Sequence, residues 1–263
     1  MDDPEQAAAY EHAGRIDGVM AAAYLFHTAR VSQVIAGCGE VLDLGCGPGT
    51  QLVQIAGLNP DTRFIGVDLS EPMLGRARRQ LAEQRISNVE VRQDDMTQLS
   101  SVRDAAVDAV ISTMALHHLP RLEDLDACFR QIARVLRPGG ALYLADFGRL
   151  KSLRSVLYFA YQNAKHQPHL FSLDYERSLR AAFELSDFER AMRRNFAGRI
   201  SICSTFRVPF LVVIKSEDRT LTEEVLNKIK RLRGVLPRRY RRDLDDMRVF
   251  LRLGGLRADP FSG

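Results

Sequence analysis

The stretch Val41-Leu42-Asp43-Leu44-Gly45-Cys46-Gly47-Pro48-Gly49-Thr50 restricts the fold of this chain more than any other. Val41 to Leu44 reads as a short buried strand, and alternate glycines follow it where a strand must turn sharply into a helix. Glycine admits positive φ and leaves no Cβ between the backbone and a bound group. The loop therefore suits close contact with a nucleotide-like ligand.

The spacing of the glycines selects among such ligands. A dinucleotide fingerprint is Gly-x-Gly-x-x-Gly, its third glycine opening the helix on which a pyrophosphate sits. Gly45 and Gly47 fit that pattern, but Thr50 occupies the third position and the last glycine arrives one residue early, at Gly49. Asp43 also argues against NAD or FAD, because a carboxylate beside the loop repels a pyrophosphate and suits an ammonium or a sulfonium. Gly-x-Gly-x-Gly behind an acid resembles motif I of the class I S-adenosylmethionine-dependent methyltransferases. An ordinary strand-to-helix turn would need only one of these glycines.

The rest of the chain alternates as that resemblance requires. Gln51 to Gly57 is expected as a helix and Arg63 to Asp68 as a second buried strand. A helix begins after Ser70, an N-cap residue with Pro72 in the first turn, and runs to Gln84. Val89 to Gln93 is the third strand, Ala106 to Ser112 the fourth, and Ala141 to Asp146 the fifth. Leu122 to Leu136 is an amphipathic helix with Leu122, Leu125, Phe129, Ile132 and Val135 on one face, and Arg137-Pro138-Gly139-Gly140 is expected to end it in a tight turn. Arg199–Thr205 and Phe210–Lys215 read as a closing antiparallel pair. The expected architecture is α/β: a doubly wound, Rossmann-like, seven-stranded and mostly parallel sheet whose last strand is antiparallel.

Three additions surround this core. Residues 1–37 read as a helical N-terminal cap, residues 148–198 as a helical insertion inside a 38–215 methyltransferase domain, and residues 216–263 as a basic helical tail. In the insertion, helices are expected over Leu150–Asn163, Asp174–Phe183 and Ser186–Asn195. A polar and aromatic loop, His166-Gln167-Pro168-His169-Leu170-Phe171, lies between the first two. The resemblance covers about residues 38 to 150, and more loosely 199 to 215.

The resemblance implies S-adenosyl-L-methionine as cofactor and assigns roles by position. Asp43 and the loop residues Gly45, Cys46, Gly47 and Gly49 lie against the cofactor. Asp68, followed by Leu69, sits about twenty residues past the glycines, where a doubly wound fold presents a carboxylate to ribose hydroxyls. Asp95 and Met96, after the third strand, are expected at the adenine, and Thr113 and Met114, after the fourth, at the reacting end. His117 is the preferred general base and His118 the second choice, since imidazole accepts a proton near neutral pH; the alternative is that the pair only packs the strand end. Adjacent histidines diverge and lack a partner acid at helical spacing, so no metal site is expected.

Tyr10, Tyr24, His166, His169 and Tyr175 are the candidates for acceptor binding, with the insertion and the N-terminal helices forming a lid. For Tyr10 and Tyr24, packing of a helix onto the sheet is an alternative of at least equal weight. The implied activity is methyl transfer to a small-molecule acceptor by in-line displacement. RNA or protein methylation, or a non-methylating use of the same cofactor, are the alternatives. The net charge of +4 is concentrated in the C-terminal residues and is too mild to imply nucleic acid. The tail reads instead as a solvated face or an oligomer contact, a homodimer being one possibility. No apolar run approaches the eighteen or so residues of a membrane span, and the acidic Met1-Asp2-Asp3-Pro4-Glu5 does not resemble a signal peptide. A cytoplasmic protein is expected, and the four scattered cysteines suggest neither a disulfide framework nor zinc.

Overall fold

The structure is a computed structural model and describes residues 18–196, 198 and 200–262. Its centre is a seven-stranded sheet in the order β3-β2-β1-β4-β5-β7-β6, with β1 Glu40–Leu44, β2 Arg63–Asp68, β3 Val89–Gln93, β4 Val107–Thr113, β5 Leu136–Phe147, β6 Ser201–Ser204 and β7 Leu211–Lys215. Strands β1 to β5 pair in parallel, whereas β7 runs antiparallel between β5 and β6. The strand order reverses between β1 and β4. Ligands of open α/β sheets bind in the crevice at the strands' carboxyl ends at such a point.

Alternation along the strands builds two core layers. Val41, Phe64, Ala109, Ile111, Tyr143 and Val213 face one side, and Leu42, Leu44, Ile65, Val67, Val110, Leu142 and Ile214 face the other. The first layer is covered by α1 Ala21–Ile35, α2 Thr50–Leu58, α8 Glu223–Val235 and α9 Arg238–Leu253. The second is covered by α4 Leu122–Val135 and α7 Leu185–Asn195. Between β2 and β3 runs α3 Glu71–Glu83, whose start is capped by the Ser70 hydroxyl accepting from the Met73 amide at 3.4 Å.

Several local expectations change. Leu122 is exposed, and Cys128 joins Leu125, Phe129, Ile132 and Val135 on the buried face of α4. The expected turn at Arg137–Gly140 is instead an irregularity within β5. Leu136 pairs with Val107, pairing resumes at Ala141 with Ala109, and Gly139 at φ +76° absorbs the extra chain. In the insertion, α5 spans Leu153–Tyr161 and α6 spans His169–Ala181, so His169, Leu170 and Phe171 are helical. Pro168, with φ −56°, sits just before α6, a place where its locked φ helps to start a helix.

The basic C-terminal residues also carry apolar faces. Ile229 of α8 and Tyr240, Leu244 and Leu251 of α9 join the core formed with α1. The fully buried Arg30 of α1 donates to the carbonyls of Arg257 and Ala258 and lies over the Phe26 ring. Among the described residues, no helix is long and apolar enough to cross a membrane. The four cysteines are free and buried.

Candidate active site

A cleft of about 640 Å³ opens at the carboxyl edge of the sheet. Its floor is the loop between β1 and α2. The amides of Gly45 and Cys46 donate to the carbonyl of Val67 at 2.8 and 3.0 Å, tying the loop to the end of β2. Gly45, Gly47 and Gly49 all have positive φ, at +69°, +53° and +82°, but they serve different ends. A Cβ on Gly45 would collide with Ala115, and one on Gly49 would press on Ala77. One on Gly47 would meet no protein atom within 4 Å. Gly45 and Gly49 are therefore required by packing, and Gly49 does not line the cleft, while Gly47 presents bare backbone to it.

Two carboxyls flank this loop. Asp68 ends β2 and accepts from the Gly47 amide at 2.8 Å and the Ser70 amide at 2.9 Å. A carboxylate has about four lone-pair sites, so it keeps capacity toward the cleft. Asp43 is 3% exposed, and no group among the described residues donates a hydrogen bond to its side chain. Burial, with the Asp68 charge adding to it, pushes its carboxyl up to about 8. Cys46 and Leu69 also line the cleft, Leu69 being largely exposed. At Gly66, the absence of a side chain makes room for Cys46, which a Cβ there would meet at 3.0 Å.

Beyond β3, Asp95 and Met96 line the cleft as expected, and so does Asp94. The Asp94 carboxylate is occupied by the amides of Asp95, Ser100 and Ser101 and by the Ser101 hydroxyl, and these bonds hold its pKa below the ordinary value against burial. Asp95 Oδ1 accepts from the Thr97 amide and hydroxyl, both at 2.8 Å, while Oδ2 has only a 3.3 Å bond from Gln98. Of the two, Asp95 keeps the freer oxygen.

The end of β4 supplies Thr113 and Met114 to the cleft. Met114 is held at φ +55°, with its amide bonded to the Ala145 carbonyl at 2.8 Å. Non-glycine residues in this conformation cluster at functional sites. The following turn separates the two histidines. His117 is buried, with Nδ1 2.7 Å from Asp146 Oδ1, and it does not line the cleft. His118 does. Its imidazole is pushed below the ordinary value by desolvation and then by His117. The preferred base of the sequence reading is thus beneath the surface, and its neighbour faces the cavity.

Asp146 is the residue that organises this turn. Its Oδ2 accepts from the amides of Leu116 at 2.6 Å and His117 at 3.2 Å, and its Oδ1 also accepts from its neighbour's amide at 2.7 Å. Asp146 escaped notice in the sequence, although an acid at the carboxyl end of a strand, as at Asp68, is a signal that would have found it.

Among the candidates for the acceptor side, Tyr24 and Tyr175 line the cleft, and burial raises both phenols. His166 and His169 are exposed and point to no part of it; once His169 starts a helix, its side chain is carried onto the outer face. Tyr10 lies outside the described residues. Phe147, Phe171, Met20 and Gln51 also line the cleft. Gln51 fixes α1 over the glycine loop, its Nε2 donating to the Tyr24 carbonyl at 3.0 Å and the Thr28 hydroxyl at 2.6 Å. Among the described residues, no group of three or more His, Cys, Asp or Glu is placed to hold a metal ion.

The comparison that decides the family is a match of residues 41–140 to the family model described as a methyltransferase domain. Residues 41–140 are a methyltransferase domain of the class I, S-adenosylmethionine-dependent family. The chain is similar to the 27-O-demethylrifamycin SV methyltransferase of Amycolatopsis mediterranei (strain S699), with 33% identity over 126 residues, 46% of this chain and 45% of that protein. It is similar to the trans-aconitate 2-methyltransferase of Deinococcus radiodurans, with 35% identity over 103 residues, 39% of this chain and 36% of that protein. The chain spans less than half the length of these relatives. A solved structure of a SAM-dependent methyltransferase from Aquifex aeolicus shares the fold, with a TM-score of 0.55 and 17% identity over 81% of this chain and 97% of that one.

The family's cofactor is S-adenosylmethionine, and the methyltransferase domain fits it on the geometry already described. Gly47 offers a bare backbone face, Asp68 retains acceptor capacity suited to a diol, and Asp43 is a buried acid with no donor among the described residues, suited to a cationic group.

Proposed function

We propose that this protein transfers the methyl group of S-adenosylmethionine to a small-molecule acceptor by in-line displacement. The observation that carries the reading is one cleft whose walls join the glycine loop, Asp43, Asp68, Asp95 and Met96 to His118, Tyr24 and Tyr175. The bound cofactor would supply an electrophilic methyl group on a sulfonium. The chain's own task is then to align the acceptor and exclude water, and such alignment can supply much of the acceleration.

In this reading Asp68 holds the ribose hydroxyls, Asp43 the ammonium end, and Asp95 and Met96 the adenine. His118 is the base for an acceptor that must lose a proton, and the buried His117–Asp146 pair holds its turn in place. Tyr24 and Tyr175 bound the acceptor. A cleft of about 640 Å³ falls within the roughly 300–1,000 Å³ typical of small-molecule sites, and both relatives described above are named for small acceptors. Titration calorimetry with S-adenosylhomocysteine tests the cofactor half. Incubation with methyl-labelled S-adenosylmethionine tests the other half, using a panel of small hydroxy, amino and thiol compounds alongside bulk tRNA. Label in the small compounds is expected, and label in tRNA alone would overturn the small-molecule reading.

A further inference from the structure

One wall of the cleft is a run of rings drawn from three separate elements. Phe171 and Tyr175 of α6 have centroids 6.0 Å apart, Tyr175 lies 5.4 Å from Phe147 at the end of β5, and Phe147 lies 5.2 Å from His117. His117 in turn contacts the His118 ring at 4.2 Å. Tyr24 adds a further ring from α1. The hydroxyls of Tyr24 and Tyr175 have no hydrogen-bond partner among the described residues, so two polar points remain on an otherwise apolar wall. Phe171 and Phe147 line the cleft while being 3% and 6% exposed overall.

The charged side chains around the cleft are predominantly acidic. Asp43, Asp68, Asp94, Asp95 and Asp124 line it, and Asp146 and Asp174 lie close enough to act on His118. Among the described residues the lining includes one Lys or Arg, Arg121, which is spent on Asp124 in a 2.9 Å ion pair. An anionic acceptor entering here would lose its hydration among carboxylates with no free cation among the described lining residues to compensate, a strongly unfavourable exchange. Aromatic rings, by contrast, gain from edge and offset contacts with other rings.

We infer that the acceptor is an uncharged, hydroxyl-bearing aromatic molecule, its ring set against Phe147, Phe171 and Tyr175 and its hydroxyl hydrogen-bonded to His118. Carboxylates and phosphates are excluded by the same geometry. A neutral imidazole at His118 has a nitrogen that accepts from the hydroxyl, and desolvation with the neighbouring His117 favours that neutral form. This assignment rests on the methyl-transfer reading and names the substrate class of that site.

The test uses the full chain saturated with S-adenosylhomocysteine and two probes of equal ring size, 2-naphthol and 2-naphthoate, titrated at pH 7. The expected result is 2-naphthol binding tighter than 2-naphthoate by about tenfold or more. Tyr175→Leu should weaken 2-naphthol by a similar factor while S-adenosylhomocysteine affinity, which also reports that the variant is folded, stays unchanged. His118→Ala should narrow the gap between 2-naphthol and unsubstituted naphthalene. Equal or tighter binding of 2-naphthoate, or an unaltered 2-naphthol affinity in Tyr175→Leu, would overturn the assignment. If S-adenosylhomocysteine binds and 2-naphthol does not, the acceptor class alone is wrong. If S-adenosylhomocysteine itself does not bind, the methyl-transfer reading fails and takes this one with it.

Discussion

Asp43 offers a test that needs no substrate. Its carboxyl is buried next to the Asp68 charge and pushed up to about 8, whereas an unfolded chain holds an aspartate near 3.9. The sign follows from linkage. Between those two values the folded state binds a proton that the unfolded state has released, so stability falls as pH rises. The contribution is complete below about pH 4 and is gone above the folded value. The slope over that window is on the order of 1 kcal/mol per pH unit, and between pH 6 and pH 8 it amounts to about 2 kcal/mol. Asp43→Asn mimics the protonated form and cannot titrate. Comparing the two proteins cancels every other titrating group that the substitution leaves alone. The wild-type melting temperature should therefore fall by about 4–8 °C more than that of the variant over pH 6–8, at the 2–4 °C per kcal/mol expected for a chain of this size. Scanning calorimetry of both proteins without ligand makes the measurement. A cationic ligand should reverse the effect by drawing Asp43 into its charged form. Titration with S-adenosylhomocysteine at pH 7 in two buffers of different ionisation enthalpy should then show proton release by the wild type and little by the variant. Parallel melting curves for the two proteins would refute the argument that Asp43 is a buried, donor-free acid.

Four further substitutions have defined expected outcomes. Gly47→Ala adds a Cβ in open space at φ +53°, so it should cost about 1–2 kcal/mol of stability from the left-handed backbone and weaken S-adenosylhomocysteine further. Gly49→Ala presses on Ala77 and should lose about 1–3 kcal/mol of stability; urea melts and calorimetry on the pair separate packing from ligand contact, and equal ligand losses would contradict the division. Asp68→Ala should cost about 1.5–3 kcal/mol of cofactor affinity, the range for a charged hydrogen bond, and should also speed hydrogen exchange at the Gly47 and Ser70 amides that Asp68 now holds; unchanged affinity in a folded variant would remove Asp68 from the site. Asp146→Ala strips the acceptor from three amides and from His117 Nδ1, so an unfolding penalty of about 3 kcal/mol or more is expected, and a urea midpoint equal to that of the wild type would show that the turn is held by other means.

Local sequence determined the sheet and the glycine-loop side of the cleft, because both depend on short-range rules. Strand β2 and the Ser70 cap lie where a short buried apolar run and capping chemistry put them. The glycine loop is legible because positive φ at three alternate positions leaves few residue choices, and Asp68 because strand ends are countable from that loop. The division of labour among the glycines was not legible, since it depends on Ala77 and Ala115, which approach from other elements. The same holds for the histidines. Adjacent residues have equal claim in a sequence, and only the placement of β5 beside β4, which brings Asp146 under the turn, buries His117 and leaves His118 facing the cavity. His169 is carried to the outer face by the helix that Pro168 starts and His166 ends an exposed 3-10 turn before it, whereas Phe171, one helical turn before Tyr175, is carried inward. The basic C-terminal residues looked like a solvated face from their charge, yet their apolar positions close over α1 with Arg30 buried at the seam. Spacing along the chain fixes what a loop or a strand end can be, and packing between distant elements decides which of two equivalent side chains meets the ligand.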